Sequence, residues 1–254
     1  ECLVPALQAV IQGTKLPEHV DSIEAKGIQS VKVIDSKPIG ANVRSTVATY
    51  DGVFDDLRKL FARTADAKAK GLTAGDFSYN TGKLRCPVCD GTGIITMDVQ
   101  FLPDVDTICP SCGGSRYGKD AYDILWKSKE KDSVSVSLPG LLKLTVEEAA
   151  GILHEETKIA KQLKILQDLG VCYLMLGEAT PALSGGEAQR LKLAYEMETP
   201  QQGSVFVFDE PTIGLHPQDV KKLVLIFDHL IQLGATVIVI EHDLELVTNC
   251  DYII

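Results

Sequence analysis

The strongest constraint on the fold lies in the last fifty residues, where two short apolar segments flank an amphipathic one. The segment SVFVFDE (204–210) is apolar and β-rich up to two carboxylates, and TVIVIEH (236–242) has the same character. Between them, DVKKLVLIFDHLIQLG (219–234) has apolar residues at helical spacing. A strand, a helix and a second strand in this order form a βαβ unit, whose strands are parallel. We therefore predict an α/β fold with a parallel sheet.

Periodicity predicts the other regular elements. Apolar residues at helical spacing indicate three further helices, over 1–13, 49–71 and 145–170. Thr145, followed by glutamates, suits the cap of the last of these. The β-branched segment 30–35 predicts a strand, and the turn-rich stretch 72–142 is interpreted as an insertion.

Charged residues close both C-terminal strands. A buried strand that ends in Asp209 and Glu210 places Asp209 where it can hold Mg²⁺ and Glu210 where it can orient and polarise an attacking water. His242, at the end of the next strand, can donate a hydrogen bond to a terminal phosphate. Alone, an Asp-Glu pair could equally cap a helix, and a lone histidine is more often structural.

The segment LSGGEAQR (183–190) favours the nucleotide interpretation. It places Ser184, Gly185 and Gly186 just before a helix predicted from about Glu187 onward. Backbone N–H groups at a helix N-terminus, a hydroxyl and the helix dipole together form an anion site. An ordinary serine cap with a glycine turn would explain SGG by itself, but the full segment stands about twenty residues before the Asp-Glu strand.

Two Cys-x-x-Cys turns predict a structural zinc site. Cys86 and Cys89 form the first pair, and Cys109 and Cys112 form the second. Two such turns supply four thiolates for a tetrahedral site, and the glycines that follow each pair let the chain bend around the sulfurs. A redox dithiol is the alternative. The other cysteines, which are Cys2, Cys172 and Cys250, are expected to be buried core thiols.

The charge distribution leaves a polyanion partner open. The net charge of −10 argues against nucleic acid, but residues 26–70 carry nine basic and five acidic side chains. Such a basic segment is also common on an ordinary solvated surface. No apolar run approaches the roughly 20 residues of a membrane span, and no leader opens the chain, so a cytoplasmic protein is expected.

These motifs together resemble the ATP-binding-cassette ATPases and, among them, the UvrA family of bacterial nucleotide excision repair. The residues that carry the resemblance are PALSGGEAQRLKLA (181–194), FDEPTIGLHPQDV (208–220), VIVIEHDLE (237–245), FLPDV (101–105) and PIGANVRSTVATYDGVFDDLRKLFA (38–62). A transporter ATPase typically has Asp where this chain has His216, and it carries no zinc module. The first knuckle, CPVCDGTG, is also similar to the repeat of DnaJ-type chaperones, which would imply a zinc-stapled protein-binding module without catalysis.

The resemblance to UvrA implies roles for the motif residues. Asp209 would be the Walker B carboxylate, Glu210 the hydrolytic glutamate and His242 the switch histidine. Residues 184–187 would form the signature that closes on ATP held by an opposing cassette. The basic segment and the zinc module would face double-stranded damaged DNA, with Lys37, Arg44 and Arg58 as phosphate contacts. A homodimer of the parent protein would be the assembly, and whether UvrB is a further partner depends on the class of the family.

Departures from the family pattern shape the expected architecture. The sequence contains no Gly-x-x-x-x-Gly-Lys-Ser/Thr phosphate loop, and Ser36 stands where the family has the Q-loop glutamine. The chain is therefore expected to be a fragment of the C-terminal half, inactive alone, and GANVRSTVATY leans toward the second, UvrB-independent class. We expect an incomplete cassette lobe (1–35 and 181–254) and an inserted helical signature domain (36–180) bearing the zinc module at 85–117. A zinc-stapled DNA-binding module and another class of cassette ATPase remain as alternatives.

Overall fold

A computed structural model describes residues 2–97, 105–129, 134–197, 201–215 and 217–254. The chain forms two compact units, one made of Glu1–Pro38 with Leu183–Ile254 and the other of Ile39–Ala182. The helices are α1 (Leu3–Gln12), α2 (Val47–Tyr50), α3 (Val53–Ala62), α4 (Ala65–Ala69), α5 (Leu138–Leu141), α6 (Val146–Ile152), α7 (Thr157–Asp168), α8 (Gly185–Met197), α9 (Pro217–Gln232) and α10 (Leu244–Val247). The strands are β1 (Ser30–Ile34), β2 (Ile94–Met97), β3 (Val105–Ile108), β4 (Leu125–Lys127), β5 (Ser135–Ser137), β6 (Ser204–Asp209) and β7 (Thr236–Ile240).

A parallel sheet forms the centre of the first unit, which confirms the predicted α/β class. Strand β6 lies between β1 and β7 and pairs in parallel with both. Ile34 lies opposite Phe208, and Asp209 lies opposite Ile240, so all three strands end at the same edge. The apolar run of β6 is buried, as a central parallel strand requires. Helix α9 connects β6 to β7, as predicted.

An aromatic and aliphatic core holds the second unit together. Helix α3 turns one face inward, because its apolar residues recur at helical spacing and Val53, Phe54, Leu57 and Phe61 are all buried. The Phe54 ring lies 4.8 Å from the ring of Tyr79. Thr145 and Glu148 form a capping box at the start of α6, as the sequence predicted.

The single helix predicted over 49–71 is wrong, because the structure contains three shorter ones there. Thr64 separates α3 from α4. Its hydroxyl donates to the Phe61 carbonyl at 2.8 Å and accepts from the Ala67 N–H at 3.3 Å, so it ends one helix and caps the next. Helices α6 and α7 likewise divide the segment predicted as one helix over 145–170.

The unpaired cysteines are less buried than expected. Cys2 and Cys250 are exposed and Cys172 is intermediate, so the prediction of core thiols is wrong for the first two. Cys2 precedes the first turn of α1, and Cys250 follows α10, so each lies outside the regular elements. Within the described ranges, no helix is long and apolar enough to cross a membrane.

Candidate metal centre and nucleotide site

The four paired cysteines converge in the second unit. All four sulfurs lie within 4.8 Å of one another, with 4.0 Å between the Cys86 and Cys109 sulfurs and 3.7 Å between those of Cys89 and Cys112. A tetrahedron with Zn–S bonds of about 2.3 Å has edges of about 3.8 Å. The four thiols therefore fit a tetrahedral metal, and thiolate donors favour zinc among the common ions.

The turns that carry the sulfurs depend on glycine. Asp90 and Gly91, directly after Cys89, both have positive φ, of 50° and 80°. A Cβ atom on Gly91 would lie 1.7 Å from the Tyr79 carbonyl oxygen, so only glycine fits there. The Gly93 N–H donates to the Cys89 sulfur at 3.3 Å. Such N–H donors stabilise a thiolate and orient it toward a metal.

The thiol environments differ across the centre. Burial opposes ionisation of Cys86, but the N–H groups of Cys89 and Val88 donate to its sulfur, and the net effect lowers the pKa of Cys86 to about 7. Burial raises the pKa of Cys112 to about 12, with the neighbouring thiols acting in the same direction. The backbone N–H donors therefore favour ionisation of Cys86.

A buried arginine, Arg116, completes this environment, and no motif in the sequence indicated it. Its side chain is 6% exposed, and its backbone has a φ of 71°. Its carbonyl accepts from the Cys86 N–H at 2.9 Å, and its own N–H donates to the Cys112 sulfur. Only its position four residues after the second knuckle could have drawn attention to it.

The three residues predicted to contact DNA are distributed over both units. Arg44 donates from Nη1 to the Asp90 carbonyl at 2.8 Å and lies 3.3 Å from the Asp90 carboxylate, so it is attached to the first knuckle. Arg58 pairs with Asp55 and lies over the Phe54 ring at 5.5 Å. Lys37, in the first unit, is 84% exposed and lies 3.3 Å from the Asp35 carboxylate.

The predicted signature segment caps helix α8 in the first unit. The Ser184 N–H donates to the Glu187 carboxylate at 2.7 Å, and the Glu187 N–H lies 3.4 Å from the Ser184 hydroxyl, which together make a reciprocal capping box. A Cβ atom on Gly185 would lie 3.0 Å from the Ser36 carbonyl oxygen, and one on Gly186 would lie 2.9 Å from the Ile213 carbonyl oxygen. The glycines therefore allow close backbone approach at this helix end.

The predicted catalytic residues emerge at the carboxyl edge of the sheet. Asp209 ends β6, and the next residue, Glu210, has a positive φ of 46° and donates its N–H to the Ile240 carbonyl at 2.9 Å. His242 follows β7, and its side chain is 82% exposed. His216 and the residues 101–104 of FLPDV lie outside the described residues.

Two buried polar residues that the sequence did not single out hold this edge together. Gln189 donates from Nε2 to the Ile34 carbonyl at 3.0 Å and to the Asp209 carbonyl at 2.8 Å, so it connects α8 to the ends of β1 and β6. The side chain of Glu241 is 2% exposed. Its carboxylate accepts from the Thr212 N–H and hydroxyl, at 3.3 and 2.9 Å, and from the His242 N–H at 3.1 Å.

Comparison with known proteins identifies relatives over the full length of the chain, although no protein-family model matches it. The UvrABC system protein A of Clostridium acetobutylicum is 43% identical over 259 aligned residues, which cover 100% of this chain and 27% of that protein. The protein of the same name from Aquifex aeolicus is 43% identical over 238 residues, covering 93% of this chain and 25% of the relative. The chain thus spans about a quarter of the length of the curated relatives it matches.

A solved structure supports the same relationship. The crystal structure of UvrA2 from Deinococcus radiodurans has a TM-score of 0.84 and 38% identity, over 96% of this chain and 29% of that one. Sequence and fold therefore agree that this chain belongs to the UvrA family.

Proposed function

We propose that the chain is part of a UvrA-like ATPase of nucleotide excision repair, in which ATP binding and hydrolysis are coupled to binding of damaged double-stranded DNA. One observation carries the ATPase proposal: Asp209, Glu210 and His242 follow two adjacent parallel strands that end at one edge. Ligands of open α/β sheets bind at that edge. The relatives named UvrABC system protein A support the assignment to excision repair.

Each residue at the sheet edge has a role in hydrolysis under this proposal. Asp209 would hold Mg²⁺, which supplies charge neutralisation on the phosphate oxygens. Glu210 orients the attacking water and polarises it through a hydrogen bond. His242 donates a hydrogen bond to the γ-phosphate, and residues 184–187 contact a nucleotide held by an opposing cassette. The Glu210 N–H donates to the Ile240 carbonyl at 2.9 Å, which attaches the backbone of Glu210 to the end of β7.

ATP hydrolysis needs a phosphate loop, which the 254 residues do not contain. We propose that this region is part of the C-terminal half of a longer protein, that the rest of that half supplies the loop, and that an N-terminal cassette half is a further partner. The purified chain should then hydrolyse ATP negligibly. Turnover that disappears in a Glu210→Gln variant of the chain would contradict this.

The zinc centre is proposed to stabilise the second unit. Cys86, Cys89, Cys109 and Cys112 are the ligands, and metal analysis of the purified chain should find one zinc per chain. A fourfold cysteine-to-serine variant should bind none. A metal-free chain whose second unit is folded and unchanged by added zinc would refute the assignment.

For DNA binding, the proposal assigns phosphate contacts to Lys37, Arg44 and Arg58. Loss of one phosphate contact lowers the slope of log affinity against log salt by about one. Arg44→Ala should therefore weaken binding of the chain to a DNA duplex and reduce the slope. Lys164→Ala is the control and should not, because Lys164 pairs with Asp168 on α7 and is not one of the proposed phosphate contacts. Equal effects of both variants would argue against a specific contact.

A second candidate is a zinc-stapled binding module that acts without catalysis. The attachment of Arg44 to the first knuckle favours it, because the metal turn and a cationic side chain then form one element. Duplex binding that survives Glu210→Gln and needs no ATP would support this function. If the chain does not bind DNA but suppresses the aggregation of an unfolded client protein, the chaperone-like alternative is indicated instead.

Assembly and location complete the proposal. A homodimer of the parent protein is proposed because a signature segment needs a nucleotide on an opposing cassette. UvrB is a partner only if the protein belongs to the first class of the family, and GANVRSTVATY favours the second. We place the protein in the cytoplasm, where its DNA substrate lies.

A further inference from the structure

Arg116 differs from the other arginines of the zinc module in its surroundings. Arg44 and Arg85 both pair with the Asp90 carboxylate, Arg85 at 2.7 Å, and both are partly exposed. Arg116 is buried, and within the described residues it forms no ion pair with a carboxylate. Its guanidinium donates from Nη1 to the Val43 carbonyl at 2.9 Å and lies 5.2 Å from the centre of the Tyr79 ring.

Two thiols of the metal centre are among the acidic groups near Arg116. Burial lowers the pKa of Arg116, whereas Tyr79, Cys89 and Cys112 act to raise it and Arg44 acts to lower it. The backbone attaches Arg116 to the centre, because its N–H donates to the Cys112 sulfur and its carbonyl accepts from the Cys86 N–H at 2.9 Å. The stem of the side chain packs against the first metal turn, since a Cβ atom on Gly93 would lie 3.3 Å from the Arg116 Cγ.

The charges of the metal centre and of Arg116 are opposite in sign. Four thiolates around Zn²⁺ carry a net charge of −2, and a buried charge without a partner is strongly unfavourable. A buried guanidinium without a carboxylate has the same difficulty in the opposite sign. Each group supplies the counter-charge that the other lacks.

We propose that Arg116 is a positioning residue of the metal centre, whose buried positive charge stabilises the four thiolates and thereby raises the zinc affinity of the site. The inference rests on the proposed zinc site and assigns a determinant of its affinity outside the four ligands. It also explains why a long cationic side chain occupies a left-handed backbone position that glycine would occupy more easily.

The test compares variants of the 254-residue chain in their zinc dissociation constant, measured by competition with a chromogenic chelator. Arg116→Met removes the charge and keeps much of the apolar stem, and it should weaken zinc binding by about 10- to 100-fold, the usual effect of losing a partner behind the ligands. Arg116→Lys keeps the charge and should recover most of the affinity. Arg85→Met is the matched control, since Arg85 already has a carboxylate partner, and it should bind within about twofold of the unchanged chain.

Cobalt provides a second readout that does not depend on overall stability. The thiolate-to-Co²⁺ charge-transfer band should keep the intensity of a four-thiolate tetrahedral site in Arg116→Met at saturating metal, and only its midpoint should shift. If Arg116→Met does not fold, the comparison is made between Arg116→Lys and Arg116→Gln, where only the former should bind tightly.

The outcomes separate this inference from the zinc proposal itself. An unchanged chain that binds no zinc overturns both. An unchanged chain that binds zinc, with Arg116→Met within about twofold of it, overturns the role of Arg116 alone. Equal weakening in the lysine and methionine variants also overturns it, because the hydrogen bond to Val43, and not the charge, would then be what matters.

Discussion

Glu241 offers a direct test of how the carboxyl edge of the parallel sheet is held. Its buried carboxylate accepts four hydrogen bonds, from the N–H and hydroxyl of Thr212 and from the N–H groups of His242 and Asp243. Glu241→Ala removes the acceptor of all four donors. The site is buried, so water does not readily replace the lost carboxylate. A buried donor that loses its partner costs about 1–3 kcal/mol.

The expected loss follows from counting the donors that cannot reach water. The His242 ring is largely exposed, so its backbone N–H can be rehydrated at modest cost, whereas the two Thr212 donors lie in a half-buried turn. We expect a loss of about 2–4 kcal/mol in local stability, or roughly 30- to 1,000-fold in opening equilibrium. Glu241→Gln keeps one oxygen acceptor and should lose about 1 kcal/mol.

Amide hydrogen exchange with mass spectrometry measures this in the chain as it is. Peptides covering 210–215 and 240–247 should lose protection in Glu241→Ala, while peptides of α3 and α7 serve as internal controls. The same variant of a longer relative should show a lower kcat for ATP hydrolysis. Unchanged exchange at both segments would refute the view that Glu241 holds the turn after β6 to the residue that follows β7.

Three further predictions concern the metal centre and the sheet edge. Gly91→Ala should abolish tight zinc binding, since the added Cβ would lie 1.7 Å from the Tyr79 carbonyl oxygen. Gly151→Ala is the control, because nothing lies within 4 Å of a Cβ atom there. Equal zinc affinity of the two variants in chelator competition would refute this prediction. Zinc binding should release about one proton fewer at pH 8 than at pH 6, because the pKa of Cys86 is about 7 and most of this thiol has lost its proton at pH 8 before zinc binds. Calorimetry in two buffers of different ionisation enthalpy measures the number of protons released, and equal release at both pH values would contradict the prediction. Burial opposes ionisation of Asp35, but Lys192 and Lys37 outweigh it and hold its pKa below 3.8, so its contribution to stability is present above that value and is lost as the pH falls through the folded pKa. Asp35→Asn should therefore destabilise the first unit by about 1 kcal/mol at pH 7 and by little near pH 2 in urea unfolding, and a pH-independent difference would count against it.

Local sequence patterns were sufficient to predict the parallel sheet and the cluster of four sulfurs. A short apolar run rich in β-branched and aromatic residues, such as β6, is typical of a buried strand, and the helix and strand that follow it predict a parallel sheet. The capping box at Thr145 was visible for the same reason, because both partners lie within one turn. Thr64 shows where this reasoning fails: the periodicity of 49–71 is helical throughout, yet one hydroxyl with two local partners divides the helix.

The sequence by itself determined which groups are candidates for chemistry: four cysteines in two tight turns, two carboxylates and a histidine at strand ends, and a serine-glycine turn before a helix. These are short-range features, and their chemistry follows from spacing. Only the tertiary structure decided what surrounds them. Arg116 donates to the Val43 carbonyl, 73 residues away in the chain, and Gln189 donates to the Ile34 carbonyl, 155 residues away, because folding brings distant charges and donors into spaces closed to water. Burial makes such partners obligatory, and burial is a property of the packed chain, which no local pattern contains.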